Sequence, residues 1–128
     1  MSGALKPMGS RRSLEVVEKP WGREEIFACT SRYAGKILVI RSGEALSLQY
    51  HREKDETFML LEGSVRLHVE EKGRLNEVTM APGDAYHITP GTRHRMEALT
   101  DSRLVEVSTP ELDDVVRLED RYGRTIPE

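Results

Sequence analysis

The stretch GEALSLQYHREKDETFMLLEG, residues 43–63, carries the strongest structural signal in the chain. It places Gln49, His51 and Glu56 close together, between runs of residues that favour β-strands. Successive side chains of a strand point to opposite faces, so Gln49 and His51 can reach one point while Tyr50 turns away. This spacing is typical of side chains that bind a metal ion.

A fourth candidate ligand, His94, lies farther along the chain, three residues after Gly91. Two imidazoles, a carboxylate and an amide oxygen can bind a borderline divalent ion and leave coordination positions open for water or substrate. A single histidine in a β protein is more often a surface or core residue, so the prediction rests on four side chains together. We therefore predict one divalent metal ion, held by Gln49, His51, Glu56 and His94.

The composition narrows the classes of function. The 128 residues suit a single domain with a hydrophobic core. The chain has 19 Lys and Arg against 22 Asp and Glu, so it lacks the basic field that nucleic-acid binding requires. Cys29 is the only cysteine, which excludes an intrachain disulfide and a thiolate metal cage. The sequence shows neither a membrane-spanning apolar run nor a secretory signal, so we expect a cytoplasmic protein without membrane or nucleic-acid partners.

After Trp21 and Gly22, short runs of branched apolar residues are separated by Gly, Pro, Asp and Asn. This spacing is typical of an all-β protein, and nine candidate strands predict a jelly-roll β-barrel. The predicted strands cover residues 25–28, 36–41, 46–50, 57–62, 64–70, 76–80, 85–88, 93–98 and 103–108. Residues 1–18 are expected to form a flexible N-terminal arm, and residues 19–128 a single domain. A short helical turn is predicted over residues 113–120.

The alternation of side chains along three predicted strands decides which groups face the pocket. The predicted inward sets are Ser47, Gln49 and His51; then Glu56, Phe58 and Leu60; then His94, Met96 and Ala98. Ligands and an apolar lining would thus share the inner face, while polar residues such as Arg95 and Glu97 take the outer one.

The glycines and polar residues together resemble the two-part signature of the cupin family, small jelly-roll barrels, or double-stranded β-helices, that hold a divalent metal. A narrower resemblance, to the type II mannose-6-phosphate isomerase domain, extends from Lys19 to Arg124. The segments that carry it are Pro20-Trp21-Gly22, Leu46-Ser47-Leu48-Gln49, His94-Arg95 with Glu97, and VRLEDRYGR at residues 116–124. That domain often follows a mannose-1-phosphate guanylyltransferase, and the resemblance implies its free-standing form here.

This resemblance implies an isomerase that interconverts mannose 6-phosphate and fructose 6-phosphate through a metal-stabilised cis-enediolate. Zinc-dependent phosphomannose isomerases have a Gln, His, Glu, His ligand set, so zinc is favoured, with manganese, iron, nickel or cobalt as alternatives. Lys36 matches a lysine of the isomerase pattern and is the candidate base, with Glu56 beside it at the catalytic centre. A solvated lysine at a strand end is the other interpretation of Lys36.

The phosphate of such a substrate requires guanidinium groups, for which Arg95, Arg117, Arg121 and Arg124 are the candidates, with Arg117 and Arg124 favoured. The alternative role for the C-terminal arginine Arg117 is an ion-pair cluster that holds the tail to the barrel. Trp21 is either a sugar-stacking ring or a packing anchor for the first strand.

Two other classes of function fit the same pattern. Metal-dependent oxygenases or lyases also use two imidazoles and a carboxylate, and a sugar-binding cupin without turnover uses the same kind of cavity. Residues 52–55, where the isomerases tend to have histidines, would alter the charge at the pocket mouth. We also expect a homodimer, because an exposed edge strand and the N-terminal arm offer a route to pairing.

Overall fold

The structure, a computed structural model, describes residues 9–125. Over that range its regular secondary structure consists of eleven β-strands. The strands are β1 (Glu15–Lys19), β2 (Gly22–Cys29), β3 (Ala34–Ile40), β4 (Leu48–Tyr50), β5 (Glu56–Glu62), β6 (Val65–Glu71), β7 (Arg74–Met80), β8 (Ala85–Ile88), β9 (His94–Ala98), β10 (Ser102–Ser108) and β11 (Val116–Glu119). Within these residues there is no helix that could cross a membrane.

The strands form two antiparallel sheets. The six-stranded sheet has the order β1-β2-β3-β10-β5-β8, and the five-stranded sheet has the order β11-β4-β9-β6-β7. From β3 onward the chain passes repeatedly from one sheet to the other, so that both sheets wind around a common interior. This is the arrangement of a jelly roll, and the predicted all-β jelly-roll fold is confirmed.

The interior is filled by side chains at alternate positions of facing strands. In β5, for example, Phe58 and Leu60 are fully buried, whereas Met59 and Leu61 are exposed. The buried apolar cluster consists of Trp21, Leu38, Ile40, Phe58, Leu60, Val65, Leu67, Val69, Met80, Ile88, Met96, Ala98 and Leu104. The apolar residues predicted to face inward from β5 and β9 therefore do so.

Polar residues continue this interior at one end of the strands. Glu56 begins β5 and His94 begins β9, and both are buried. The next inward positions on the same strands are Phe58 and Met96, which belong to the apolar cluster. The hydrophobic core thus supports the candidate ligands from one side.

The C-terminal segment is extended, so the predicted helical turn over residues 113–120 is wrong. After a turn at residues 112–113, Val116–Glu119 form β11, which pairs antiparallel with β4. The mixture of apolar and charged residues in this segment also suited one helical turn, but the β-branched Val115 and Val116 favour extended backbone. Pairing with β4 gives the strand hydrogen bonds that one isolated helical turn would lack.

Strand β1 extends the edge of the six-stranded sheet. Its residues Glu15–Lys19 pair with Gly22–Ile26 of β2. Residues 15–18 were assigned to the N-terminal arm in the sequence analysis, yet they are paired with the barrel. Residues 1–8 of that arm lie outside the described residues, and the division of the chain at residue 18 stays a prediction.

Candidate metal centre

Three strand ends bring the candidate ligands together. His51 directly follows β4, Glu56 is the first residue of β5, and His94 is the first residue of β9. Gln49 in β4 is the register partner of His94. Because β5 belongs to the six-stranded sheet and the other two strands to the five-stranded sheet, the group lies between the sheets.

His51, Glu56 and His94 form a buried group whose donor atoms all lie within 4.8 Å of one another. His51 Nε2 lies 3.0 Å from Glu56 Oε1, and His94 Nε2 lies 3.7 Å from Glu56 Oε2. Donors that each stand about 2 Å from a shared ion are separated by about 3 to 4 Å. The spacing therefore suits coordination of one ion by the three side chains.

Backbone carbonyls fix the orientation of both imidazoles. His51 Nδ1 lies 2.6 Å from the carbonyl oxygen of Asp114, and His94 Nδ1 lies 2.9 Å from that of Thr92. A carbonyl only accepts hydrogen bonds, so in a neutral ring the proton sits on Nδ1 and the lone pair on Nε2. Both lone pairs are consequently available on the side of the ring that faces Glu56.

The buried atoms at this centre have incomplete hydrogen bonding. His51 Nε2, His94 Nε2 and Glu56 Oε1 have no partner with hydrogen-bond geometry among the described residues, although Glu56 Oε1 is ion-paired with Lys54 Nζ at 3.1 Å. Buried polar atoms usually have one, and an exception requires an explanation. A divalent cation would accept the lone pairs of all three, and imidazole with carboxylate is a set that such ions use. The residues present therefore fit a metal ion.

The protonation states also suit a cation. Burial lowers the pKa of His94 and outweighs the attraction of the Glu56 carboxylate, so the ring is neutral at pH 7. Burial alone would raise the pKa of Glu56, but contact with His51 and the charge of Lys54 lower it to about 2. Metal ligands must be deprotonated, and His94 and Glu56 meet this condition near neutral pH.

Gln49 lies beside this group on β4. Its Oε1 accepts a hydrogen bond of 2.6 Å from the hydroxyl of Ser47, which fixes the orientation of the amide. Like His51, Gln49 lines a cavity at the mouth of the barrel. Its role as a fourth ligand stays a prediction.

The cavity has a volume of about 360 Å³ and lies at the mouth of the barrel, where His51 forms part of its wall. A volume of this size accommodates a small molecule. Its lining combines apolar with charged side chains, among them Trp21, Leu46, Lys36, Glu106, Arg117 and Arg124.

A chain of alternating charges crosses the inner face of the six-stranded sheet. Lys36 Nζ lies 3.0 Å from Glu24 Oε2 and 3.7 Å from Glu106 Oε2. Lys54 Nζ lies 3.1 Å from both Glu106 Oε2 and Glu56 Oε1. Burial disfavours the charge of Lys54, but the two carboxylates raise its pKa overall. The network therefore connects the wall of the cavity to the metal ligands.

The sequence places Lys54 at the pocket mouth but does not predict that its side chain is buried, and it does not single out Glu106. A signal for Glu106 was present, because it lies two residues after Leu104 on the same face of β10 and is the register partner of Lys36 on β3. Lys54 lies in the segment between His51 and Glu56, outside any strand, so no periodicity indicated that its side chain is buried.

Asp114 supports the segment between the first two ligands. Its carboxylate accepts hydrogen bonds from the backbone N–H groups of Arg52, Glu53 and Lys54, at 3.0, 2.6 and 2.9 Å. Desolvation opposes its charge, but these three donors lower the pKa of Asp114 to about 2. Together with its carbonyl contact to His51, this makes Asp114 a positioning residue that the sequence alone did not indicate.

The predicted substrate-binding residues are divided between two faces. Arg117, Arg124 and Trp21 line the cavity. Arg124 also directs Nε and Nη2 at the Asp120 carboxylate, at 2.8 and 3.0 Å. Arg95 lies between two buried residues of β9, and its Nε donates a hydrogen bond of 3.0 Å to the carbonyl oxygen of Leu46. Arg95 thus lies on the opposite face of β9 from His94. A contact between Arg95 and a substrate stays a prediction.

The remaining histidines lie apart from the centre. His87 is exposed and contacts Asp55 at 2.6 Å. His68 lies in β6, 3.8 Å from the carboxylate of Glu97. Neither belongs to the group of metal donors in the described part of the chain.

Comparison with known proteins supplies the wider context. The chain is 33% identical over 113 residues to the mannose-1-phosphate guanylyltransferase ManC of Salmonella typhimurium, a match that covers 84% of this chain and 23% of that protein. The chain thus spans about a quarter of the length of this relative. The solved structure of KdgF from Halomonas superposes with a TM-score of 0.71 at 22% identity, covering 83% of this chain and 97% of KdgF.

Oxalate decarboxylase from Bacillus subtilis superposes with a TM-score of 0.70 at 18% identity, covering 88% of this chain and 33% of that chain. At these identities the structural matches show the fold alone. Residues 36–109, which include most of β3, all of β4 to β10 and all four candidate ligands, match the family Cupin_2, described as a cupin domain. The jelly roll, the superpositions and this match over more than half of the sequence lead to one conclusion: the chain belongs to the cupin family.

Proposed function

We propose that this cupin is a metal-dependent aldose-ketose isomerase of a sugar phosphate, of the mannose-6-phosphate type. The observation that carries the proposal is the buried group of His51, Glu56 and His94, which adjoins a cavity lined by Arg117 and Arg124. Metal donors and guanidinium groups at one cavity suit a small ligand with hydroxyl or carbonyl oxygens at one end and phosphate at the other.

In this proposal Gln49, His51, Glu56 and His94 hold one divalent ion, for which zinc is favoured. Such an ion, when bound, supplies a Lewis acid that polarises oxygens of the substrate. The Bacillus subtilis oxalate decarboxylase, which shares the fold, is described as having Mn(II) centres, and this supports a divalent ion in a jelly roll of this kind.

The isomerisation moves a proton between C1 and C2 of the sugar through a cis-enediolate, so a base has to lie beside these carbons. Lys36 lines the cavity, and its contacts with Glu24 and Glu106 fix the position of its Nζ. We assign the proton transfer to Lys36, whose neutral amine would accept the proton from one carbon and return it to the other. Trp21 and Leu46 form apolar wall beside it and exclude water from the reacting carbons.

The phosphate is assigned to Arg117 and Arg124, since both line the cavity. Arg124 is held at Nε and Nη2 by Asp120, which leaves Nη1 for the ligand. The similarity to a protein named for mannose 1-phosphate supports a phosphorylated hexose as the class of substrate. Because the match covers 23% of that protein, the choice of mannose 6-phosphate rests on the resemblance of the residues described above.

A coupled assay tests this function. Protein reloaded separately with zinc, manganese, cobalt, nickel and iron should interconvert mannose 6-phosphate and fructose 6-phosphate with at least one metal. Glu56→Gln should abolish turnover, whereas His87→Gln, a change to an exposed histidine outside the centre, should retain it. Absence of turnover with every metal would contradict the isomerase. Oxygen uptake by the iron form would then indicate an oxygenase, and metal-independent sugar binding without turnover would indicate a binding protein.

A further inference from the structure

Lys54 carries a buried positive charge beside the proposed metal centre. Its side chain is 4% exposed, and its Nζ lies 3.1 Å from Glu56 Oε1. The same carboxylate oxygen lies 3.0 Å from His51 Nε2. Proton transfer and phosphate binding are assigned to other side chains, so the proposed reaction leaves Lys54 without a role.

The two carboxylates that contact Lys54 hold it in different ways. Glu106 Oε2 accepts a hydrogen bond of 3.1 Å from Nζ. Glu56 Oε1 lies equally close, but it has no partner with hydrogen-bond geometry among the described residues. A carboxylate lone pair that no donor occupies is available to a metal ion. An ion could thus take Glu56 Oε1 as a ligand while Lys54 stays hydrogen-bonded to Glu106.

The hydrogen bond to Glu106 keeps the ammonium close to such an ion. A buried ammonium requires a paired charge, and Glu106 is the second carboxylate that the structure places against Lys54. Ligand oxygens lie about 2 Å from their ion. An ion bound by Glu56 Oε1 would therefore lie within about 5 Å of Nζ in its observed position, since Nζ is 3.1 Å from that oxygen.

The ammonium and a divalent ion repel each other at this distance. Even at an effective dielectric constant of about 20, the Coulomb energy of such a pair is several times RT. Glu106 reduces the repulsion, because its carboxylate is buried and pairs with Lys54 at 3.1 Å. Lys54 is nevertheless the group of this network that contacts Glu56, so its charge, and not that of Glu106, lies nearer to the ion.

We propose that Lys54 lowers the affinity of the centre for a divalent ion, and that Glu106 limits this effect. Without an ion, Lys54 is the counter-ion of Glu56 and keeps that carboxylate paired. A bound ion takes over this role and is opposed by the charge of Lys54, so it should exchange more readily than it would beside a neutral side chain. The proposal rests on the metal centre of the proposed function, but on none of its catalytic steps.

The dissociation constant for zinc tests this proposal, and competition between the full chain and a chromophoric chelator measures it without any assay of activity. Lys54→Met removes the charge and keeps most of the length of the side chain, so it should lower the Kd for zinc by about tenfold or more. Lys72→Met removes a lysine charge at an exposed turn and is the matched control. It should leave the Kd within about twofold of the wild-type value, because water and salt screen that charge.

Glu106→Gln tests the other half of the proposal. The amide removes the charge that offsets Lys54, so the Kd for zinc should rise by about tenfold. Combined with Lys54→Gln, the same change should have a smaller effect, because no ammonium then remains to be offset. Equal effects of Glu106→Gln in the two backgrounds would overturn the role assigned to Glu106.

The single variant Lys54→Gln guards against loss of folding, since its amide can still donate a hydrogen bond to Glu106, and it should also lower the Kd. Circular dichroism should show that each variant retains its β-structure. A folded Lys54→Gln chain that binds zinc no more tightly than wild type would overturn the proposal and leave the metal centre intact. A wild-type chain that binds no zinc would overturn the proposal and the metal centre together.

Discussion

The charge balance of Glu56 is the central feature at the scale of single residues. One oxygen of its carboxylate, Oε1, contacts two side chains. Lys54 Nζ lies 3.1 Å from it and His51 Nε2 lies 3.0 Å from it. Lys54 is shared in turn with Glu106. Buried charges are tolerated only when they are paired, because each has lost its hydration. Lys54 therefore contributes to stability as well as to the orientation of a candidate ligand.

Replacement of Lys54 by methionine should lower the free energy of unfolding by about 3 kcal/mol, because Glu56 and Glu106 would lose their shared buried counter-ion. Urea unfolding in the presence of a chelator measures this change without interference from bound metal. Lys72→Met, at an exposed turn, is the matched control and should change the free energy little. Equal stabilities of the Lys54 variant and the wild type would show that the buried ion pairs do not support the fold.

Single residues also show what sequence patterns could predict. His51, Glu56 and His94 were found because each adjoins a strand, where the direction of a side chain follows from counting residues. The buried positions of Lys54 and Asp114 depend on how loops fold against the barrel, which no local period describes. The ligands were therefore accessible to sequence analysis, but the groups that orient them were not.

At the scale of structural elements, the segment between β4 and β5 determines the distance between His51 and Glu56. Its backbone N–H groups have no strand partner and are held by the side chain of Asp114, at the start of the path into β11. The segment that leads into β11 thus supports the candidate metal centre through Asp114. This explains why an extended tail, and not a helical turn, suits the site.

Substitution of Asp114 by asparagine should lower the free energy of unfolding at pH 7 by about 1 kcal/mol, a small value because the carboxylate is partly exposed to water. The pKa of Asp114 is lowered from 3.8 to about 2. Its charge therefore stabilises the fold fully above pH 3.8, and this contribution is lost as the pH falls through about 2. The difference between wild type and variant should shrink over that range.

Denaturant unfolding at a series of pH values measures the effect. Asp113→Asn, which changes the exposed neighbouring carboxylate, is the control and should show no such pH dependence. A difference between wild type and the Asp114 variant that stays constant down to pH 2 would contradict the assigned role of its charge.

The elements themselves were predicted unevenly. Strands with alternating apolar residues, such as β5 and β9, were recognised at nearly their observed positions. Strand β1 was not, because EVVEK carries few apolar residues and lies at an edge of the sheet. The sequence of β11 suits a helical turn as well as a strand, because four residues are too few to distinguish the helical period from the strand period. Edge strands depend on pairing that their own sequence does not reveal.

At the scale of the whole molecule, closure of the jelly roll assembles the candidate site. His51 and His94 come from the five-stranded sheet and Glu56 from the six-stranded one. Residues distant in sequence can meet this closely only when the two sheets are packed correctly. A bound ion would therefore cross-link the sheets and should stabilise the folded chain by an amount that rises with the logarithm of its concentration relative to its Kd.

The most direct test of this account is the metal content of the purified full-length chain, measured by elemental analysis after removal of loosely bound ions. The wild-type protein should contain one divalent ion per chain. The double variant His51→Ala, His94→Ala should contain none, while the surface variant His87→Ala should match the wild type. A folded wild-type protein without stoichiometric metal, even after incubation with zinc, manganese, cobalt, nickel and iron, would contradict the metal centre.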